Sequence, residues 1–415
     1  MNARRARSSR VKAVLVVLGT RPEAIKLAPV ITELRRHSDV ITRVCVTGQH
    51  REMVRPILDL FDVHPDIDLA LMTPNQPLTW LTAAALMKIE EVIKSTAPDW
   101  VVLQGDTTTT MSAALAAFYR RVPVAHVEAG LRTHDLARPF PEEGNRCIVG
   151  SLATVHFAPT ELARHNLLRE GTDDSTIYVT GNTVIDALLR VGSLPENCSG
   201  GPLACLPANR RIVLVTAHRR ESFGAGLRDV CHAIRDVVDA VPDIQCVYPV
   251  HLNPNVQEPS REILAGHERI SLIPPLDYVS LIHLIRRSTL ILTDSGGIQE
   301  EAPTFGKPVL VLREVTERPE AVQAGCARLV GTDRRVIAEA ALKLLTDHSA
   351  YERMAKIANP FGDGHASERI VQVLRNSSLR DSSPRHANST AAAQATDAPR
   401  AGRIAAATGQ PEMGD

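Results

Sequence analysis

The sequence predicts an α/β protein with two Rossmann-like domains that face each other across a cleft, each built on a parallel sheet. Short continuous apolar runs, such as residues 14–18 and 101–103, are typical of parallel strands that are buried on both faces. Segments with apolar residues at helical spacing follow these runs. The same alternation of strand and helix begins again at Ile212, which predicts a second sheet.

Changes in composition divide the 415 residues into segments. A stretch with glycines, prolines and two cysteines separates the two strand–helix series and is typical of a linker. The last forty residues are rich in Ser, Ala, Thr, Pro and Gly, so they cannot bury a core and are predicted to be disordered. The predicted segments are a basic flexible N-terminus (1–10), a first domain (11–190), a linker (191–208), a second domain (209–358), a helical segment (359–375) and the tail (376–415).

Composition excludes several classes of partner. The 47 basic and 47 acidic residues balance, and no basic stripe stands out, which argues against nucleic acid as a ligand. No apolar run approaches the roughly 20 residues that span a bilayer, so we expect no membrane association. The seven cysteines include no Cys-x-x-Cys pair, which argues against structural zinc and for a reducing compartment. A cytoplasmic protein without a bound metal is therefore predicted.

The stretch 293–303 has the pattern of an anion site. An apolar run leads into Ser295, Gly296 and Gly297, and a helical pattern follows. Glycines allow a close approach of the backbone, and the N–H groups at a helix start favour a phosphate. Glu301 is placed to reach ribose hydroxyls, and Arg318 follows the next strand at the same edge of the sheet. The alternative is an ordinary, well-capped helix after a strand.

Cations also follow the other strands. Arg21 and Lys26 lie after the run 14–18, where two positive charges suit a diphosphate, although both could be solvated surface charges. His218 follows the first strand of the second series together with two arginines, and His251 occupies the equivalent place after the next strand. No G-x-G-x-x-G motif follows the first two strands, which argues against a nicotinamide cofactor, and no cofactor is predicted.

Three carboxylates lie at the carboxyl ends of successive strands of the first series, or in the loops just after them. They are Asp106, Glu128 and Glu142. Each has a structural alternative: a helix cap for Asp106, an ion pair with Arg132 for Glu128, and a favourable helix-dipole contact for Glu142. Since parallel strands end at one edge, the three should converge on one cleft, where neighbouring carboxylates acquire different proton affinities.

With these motifs in order, the chain resembles the non-hydrolysing UDP-N-acetylglucosamine 2-epimerases. The resemblance covers about residues 12 to 375 without large gaps. The matching segments are 19–26, 105–110, 126–133, 180–188, 218–221, 249–254, 293–303 and 316–321.

The resemblance implies a fold like that of GT-B glycosyltransferases, a homodimer, a UDP-binding second domain and a helix (359–375) that crosses back to the first. It implies reversible interconversion of UDP-N-acetylglucosamine (UDP-GlcNAc) and UDP-N-acetylmannosamine (UDP-ManNAc) by elimination of UDP to 2-acetamidoglucal and re-addition. It also implies a supply of precursors for bacterial surface polysaccharide.

The resemblance also implies roles for individual residues. The catalytic set is Asp106, Glu128, Glu142 and His218, and the substrate-binding set is Arg21, Lys26, His251, Leu276, Leu281, Ser295, Gly296, Gly297, Glu301 and Arg318. Leu276 and Leu281 should contact uracil through their backbone. The alternatives are a GT-B-type glycosyltransferase, a hydrolysing epimerase and an inactive nucleotide-sugar sensor. Three carboxylates in one cleft favour the epimerase, since epimerisation needs both a base and an acid.

Overall fold

The structure, a computed structural model, describes residues 11–48, 51–72, 76–195, 203–204, 206–207 and 209–377, of Arg51 the backbone only. The predicted N-terminal segment, half of the predicted linker and nearly all of the predicted tail lie outside the described residues. The described chain forms two sheets, of seven and six strands, and every strand pairing within them is parallel. The predicted fold class is confirmed in this respect, while the domain boundaries stay predictions.

The first sheet has the strand order β3-β2-β1-β4-β5-β6-β7. Its strands are β1 (Lys12–Leu18), β2 (Val40–Val46), β3 (Ile67–Asp68), β4 (Trp100–Gln104), β5 (Val124–Val127), β6 (Val155–Ala158) and β7 (Ile177–Val179). Its helices are α1 (Arg21–Arg35), α2 (Arg51–Leu60), α3 (Leu78–Thr96), α4 (Thr108–Tyr119), α5 (Glu142–Leu152), α6 (Glu161–Arg169) and α7 (Thr183–Gly192).

The second sheet has the strand order β10-β9-β8-β11-β12-β13. Its strands are β8 (Arg211–Thr216), β9 (Ile244–Pro249), β10 (Ile270–Ile273), β11 (Ser288–Thr293), β12 (Val309–Val311) and β13 (Ala327–Leu329). The remaining helices are α8 (Ala225–Ala240), α9 (Pro254–Leu264), α10 (Tyr278–Arg287), α11 (Gly296–Glu301), α12 (Pro319–Ala324), α13 (Arg334–Thr346), α14 (His348–Ala355) and α15 (Ala366–Asn376). Among the described helices, none is both long and apolar enough to cross a membrane.

Helices cover both faces of the first sheet, which explains the continuous apolar runs. Along β1, Val14, Val16 and Leu18 pack into a core with α1, α2 and α15. The intervening Leu15 and Val17 pack on the other face, with α3 and α4. Successive side chains of a strand point to opposite faces, so a strand between two helical layers needs apolar residues at every position.

The last helix, α15, returns to the first sheet and packs against α1 and α7. Asp186 in α7 holds its start, because its carboxylate accepts hydrogen bonds from the Ala366 N–H at 3.2 Å, the Ser367 N–H at 2.8 Å and the Ser367 hydroxyl at 2.5 Å. At the other end, the Lys12 ammonium donates to the carbonyls of Leu374 and Arg375 at 2.9 and 2.6 Å. Both helix ends, which lack intrahelical partners, are thereby satisfied by the first sheet and its helices.

We expect Asp186→Ala to lower the free energy of unfolding by about 2 kcal/mol, because it leaves buried donors at the start of α15 without an acceptor. The matched control is Glu368→Ala in the first turn of the same helix, where the carboxylate is exposed and pairs with His365. That exposed pair contributes less than about 1 kcal/mol. Urea denaturation of both variants measures the difference, and equal losses would contradict the assigned role of Asp186.

Candidate active site

Both sheets place several of their predicted site residues at the point where the strand order reverses. In the first sheet this point lies between β1 and β4, and in the second between β8 and β11. Loops after the strands diverge there and leave a crevice at the carboxyl edge, the usual ligand position in open α/β sheets. Arg21 and Asp106 follow β1 and β4, while His218 and Ser295 follow β8 and β11. The sequence thus directs cations, carboxylates and glycines to two crevices.

A buried Glu23 fixes the two loops of the first crevice to each other. One carboxylate oxygen accepts the Gly19 and Thr20 N–H groups at 3.0 and 2.7 Å, in the loop after β1. The other accepts the hydroxyls of Thr107 and Thr110 at 2.9 Å each, in the turn after β4. Glu23 thereby sets the position of the loop before Arg21 and Lys26 relative to the turn that contains Asp106.

Five side chains form a buried group that joins the first sheet to the second, which we call the cross-cleft cluster. It consists of Lys26, Glu128, Asn182, Glu300 and Arg318. The Lys26 ammonium lies 2.6 Å from both carboxylate oxygens of Glu128. The Asn182 amide donates to Glu128 and to Glu300 at 3.2 Å each. Arg318 donates to Glu300 and completes the group.

The charges within this cluster stabilise one another. Burial disfavours the ionised form of Glu128, but Lys26, Arg318 and Asn182 together outweigh burial, and the pKa of Glu128 is lowered. Burial likewise opposes the charge of Lys26, and Glu128 with Glu300 raises its pKa above the ordinary value. The Lys26 side chain is only 16% exposed, so the alternative of a solvated surface charge is wrong for this residue. The alternative pairing of Glu128 with Arg132 is also absent, because Arg132 pairs with Glu170 at 2.6 Å.

The backbone at Glu128 is strained. Its φ is +62°, a left-handed conformation that non-glycine residues rarely adopt. Such a conformation costs on the order of 1–3 kcal/mol and persists where the surroundings fix it. Here Gln104 also donates to the Glu128 carboxylate, so the side chain is held from three sides. Strained residues of this kind cluster at functional sites, which supports the role predicted for Glu128.

Asp106 is held by the start of α5. Asn145 donates to the Asp106 carbonyl at 2.9 Å, and Arg146 pairs with the Asp106 carboxylate. The helix-cap alternative is wrong, because Thr107 is the N-cap of α4 and its hydroxyl accepts the Thr110 N–H at 3.1 Å. The Asp106 side chain keeps 26% of its surface exposed and is available to a ligand.

The two glutamates that open α5 differ in their surroundings. Glu143 is buried, and its carboxylate accepts the backbone N–H groups of Thr133 and His134 at 3.0 and 2.9 Å. Glu143 therefore shapes the preceding loop. Glu142 is half-buried, and within the described part of the chain its carboxylate has no hydrogen bond or ion pair. Glu142 is thus the glutamate of the pair that is free to act on a ligand.

In the second crevice, His218 lies between a carboxylate and a second imidazole. Its Nδ1 is 3.2 Å from Oδ1 of Asp294, which is completely buried. The exposed His251 ring stacks on it with a centroid distance of 5.6 Å and an interplanar angle of 11°. Burial lowers the pKa of His218, Asp294 opposes this, and the net pKa is below the ordinary value.

Glu301 and Arg21 approach each other from opposite halves of the chain. Glu301 is buried at the end of α11, and burial together with the neighbouring Glu300 raises its pKa to about 8. Arg21 and Lys26 are the cations that oppose this rise. Arg21 also opposes the rise in the pKa of Tyr278 that burial causes. Tyr278 opens α10, and in the sequence it lies between the half-buried Leu276 and Leu281. These predicted binding residues therefore lie in one region.

Three residues of this arrangement were missed in the sequence, namely Asn182, Asp294 and Glu300. Asp294 directly follows β11, so the rule that identified Asp106 after β4 could have identified it. Asn182 is an ordinary N-cap of α7, and its side-chain oxygen Oδ1 accepts the Val184 N–H at 3.1 Å. Its second function, the bridge between Glu128 and Glu300, depends on how the two sheets pack and has no local signal.

We expect Glu301→Gln to stabilise the ligand-free protein at neutral and alkaline pH. In the unfolded chain this carboxyl group loses its proton near the ordinary glutamate pKa of 4.5, whereas the folded one keeps its proton up to about pH 8. Stability is therefore lost as pH rises between these values. The glutamine variant avoids that loss, which is on the order of 4 kcal/mol at about pH 8. Thermal melting at about pH 5.5 and pH 8.5 should show the larger gain at the higher pH.

The matched control is Glu300→Gln, the same change one residue away. It removes the nearest carboxylate partner of Arg318, a largely buried cation, and should destabilise the protein. Two variants with the same sign of effect would contradict the described electrostatics.

Known proteins resemble this chain over most of its length. The family model of UDP-N-acetylglucosamine 2-epimerase matches residues 32–375. A UDP-N-acetylglucosamine 2-epimerase of Yersinia pestis is 52% identical over 369 residues, which cover 88% of this chain and 98% of that protein.

Solved structures extend the comparison to the fold. The crystal structure of UDP-GlcNAc 2-epimerase from Neisseria meningitidis bound to UDP-GlcNAc has a TM-score of 0.79 and 46% identity, and the match covers 87% of this chain and 99% of that one. The glycotransferase of kitacinnamycin shares the fold alone, with a TM-score of 0.59 at 13% identity over 88% and 98% of the chains. The predicted GT-B-like architecture is therefore confirmed. With a family model over most of its length and relatives at this identity, the chain belongs to the UDP-N-acetylglucosamine 2-epimerase family.

Proposed function

We propose that this chain interconverts UDP-GlcNAc and UDP-ManNAc by elimination and re-addition of UDP. The observation that carries the proposal is the meeting of two chemically different crevices. Three carboxylates, Asp106, Glu128 and Glu142, belong to the first, and His218 with the Ser295–Gly297 turn belongs to the second. The cross-cleft cluster joins the two, so one nucleotide sugar could contact both.

The proposed reaction balances without a cofactor. A carboxylate takes the proton from C2 of the sugar, the C1–O bond breaks, and its electron pair leaves with UDP. The electrons of the former C2–H bond form the C1=C2 double bond of 2-acetamidoglucal. UDP then adds back to C1 while an acid delivers a proton to the opposite face of C2, which inverts that centre. Carboxylates at both faces supply the base and the acid.

Binding roles follow from position in the second crevice. The N–H groups of Gly296 and Gly297, with His218 and Arg21, would hold the diphosphate as negative charge develops on it. A Cβ at Gly296 would approach only Arg318, at an ordinary contact distance of 3.8 Å. Packing within the protein therefore does not require glycine at this position, which supports a ligand close to the backbone.

The nucleoside would extend from this turn. Glu301 would accept hydrogen bonds from the ribose hydroxyls, and the backbone near Leu276 and Leu281 would contact uracil. Lys26, Arg318 and His251 would complete the surroundings of the sugar and the diphosphate.

The cellular setting is part of the proposal. UDP-ManNAc would supply the synthesis of bacterial surface polysaccharide, and the enzyme would act in the cytoplasm. Free thiols at Cys45, Cys147, Cys231, Cys246 and Cys326 support a reducing compartment.

The direct test is proton NMR of UDP-GlcNAc with the purified protein in deuterium oxide, without added cofactor. We expect UDP-ManNAc with deuterium at C2, because the proton that returns comes from solvent.

Asp106→Asn should lower kcat by at least about a hundredfold, since it removes a proton-transferring group. The matched control is Asp236→Asn, which changes an exposed carboxylate of α8 that pairs with Arg334 at the start of α13. Free ManNAc as the product would favour the hydrolysing alternative, and unchanged bound substrate would favour a transferase.

We also propose a homodimer through the layer formed by α3, α4 and α5, which pack side by side. Large apolar side chains on this layer remain exposed: Trp80 at 50%, Met87 at 61%, Phe118 at 54% and Ile148 at 45%. Exposed apolar side chains that gather on adjacent helices are typical of an interface with another chain.

We expect Met87→Glu to shift the protein from dimer to monomer, because it places a charge within the proposed apolar contact. Light scattering coupled to size-exclusion chromatography measures the mass. The matched control is Val336→Glu, an exposed apolar residue of α13 beside the second sheet, which should leave the dimer intact. A monomeric wild-type protein would rule out the interface.

A further inference from the structure

Asp294 has a carboxylate oxygen that the fold leaves without a hydrogen bond. Oδ2 accepts the backbone N–H groups of His218 and Arg219 at 2.6 and 2.7 Å. Oδ1 is equally buried and, within the described residues, accepts no hydrogen bond. Nδ1 of the His218 imidazole lies 3.2 Å from this oxygen. A buried oxygen without a donor is costly, so this arrangement needs an explanation beyond folding.

The groups around His218 act in opposite directions on its charge. His251 stacks on one face, Arg219 follows in the chain, and both disfavour an additional positive charge. Tyr248, the nearest phenol, donates its hydroxyl to the Ala217 carbonyl at 2.6 Å and stays neutral. Asp294 is the group that favours a cationic His218. In the ligand-free protein the pKa of His218 lies below its ordinary value of 6.5, chiefly because of burial, so the ring is neutral at neutral pH.

We propose that Asp294 is a positioning residue for His218. Oδ1 of Asp294 accepts the Nδ1–H of His218, so that Nε2 of the ring faces the cleft and takes up a proton when the diphosphate of UDP binds. The proton comes from the solvent and is added at Nε2. The resulting imidazolium donates Nδ1–H to Asp294 and Nε2–H to a phosphate oxygen. This inference rests on the proposed function, since it assumes that the second crevice binds the diphosphate.

Negative groups on opposite sides of the His218 ring explain why diphosphate binding is coupled to proton uptake. The diphosphate adds negative charge at Nε2 and favours the cationic ring, while Asp294 supplies the same preference at Nδ1. Without Asp294, burial, His251 and Arg219 would all oppose the cation. The pair resembles the carboxylate–histidine arrangement in which a buried carboxylate fixes the tautomer and stabilises the imidazolium.

The test is calorimetric titration of UDP at about pH 7.5, in buffers with different ionisation enthalpies, which counts the protons taken up on binding. We expect the wild-type protein to take up more protons than Asp294→Asn and than His218→Asn, with these two variants equal. Protons exchanged by UDP itself or by Glu301 cancel in the comparison. The asparagine oxygen can still accept the two backbone N–H groups, so Asp294→Asn keeps the loop. Its UDP affinity should fall about tenfold, as for loss of a charge-assisted hydrogen bond.

A double-mutant cycle separates this role from a structural one. If Asp294 acts through His218, Asp294→Asn should cost little further UDP affinity in the His218→Asn background. An equal loss in both backgrounds, or equal proton uptake by wild type and His218→Asn, would overturn the inference. The comparison of proton uptake between wild type and His218→Asn remains valid even if Asp294→Asn does not fold. A protein that does not bind UDP at all would instead refute the proposed function.

Discussion

The structure depends on the buried charges that join its two sheets. Lys26 and Glu128 come from the first sheet and Glu300 and Arg318 from the second, and Asn182 links the two pairs. Buried charges are tolerated only when paired, and removal of one partner costs about 3–5 kcal/mol. The cluster therefore holds the carboxyl edges of the two sheets together. Since each half of the chain contributes only part of the cluster, neither half forms a complete site alone.

Much of this organisation was predictable from the sequence, because it depends on local patterns. Apolar runs without alternation indicated strands buried on both faces, and β1 between its two helical layers shows why. Strand ends located the site residues, since residues such as Asp106 and Glu128, which follow the neighbouring parallel strands β4 and β5, share an edge. The family resemblance then supplied the substrate, which the residues themselves could not name.

The rest depends on how the sheets pack. Nothing local distinguishes Glu142 from Glu143, yet one is free and the other accepts two backbone N–H groups. The sequence around Lys26 is compatible with a surface cation, but its ammonium is paired with Glu128 more than one hundred positions away. Asn182 has the pattern of a helix cap and also bridges the cleft. Such contacts join residues that are distant in sequence, so only the folded chain shows them.

The central claim is that this cleft breaks the bond between the sugar and UDP. The most direct measurement uses UDP-GlcNAc with oxygen-18 in the C1–O–phosphorus bridge, followed by phosphorus NMR. If the bond breaks and re-forms, the freed β-phosphate can rotate, and the label will move from the bridge to the non-bridging positions. Formation of UDP-ManNAc with the label fixed in the bridge would contradict elimination and re-addition.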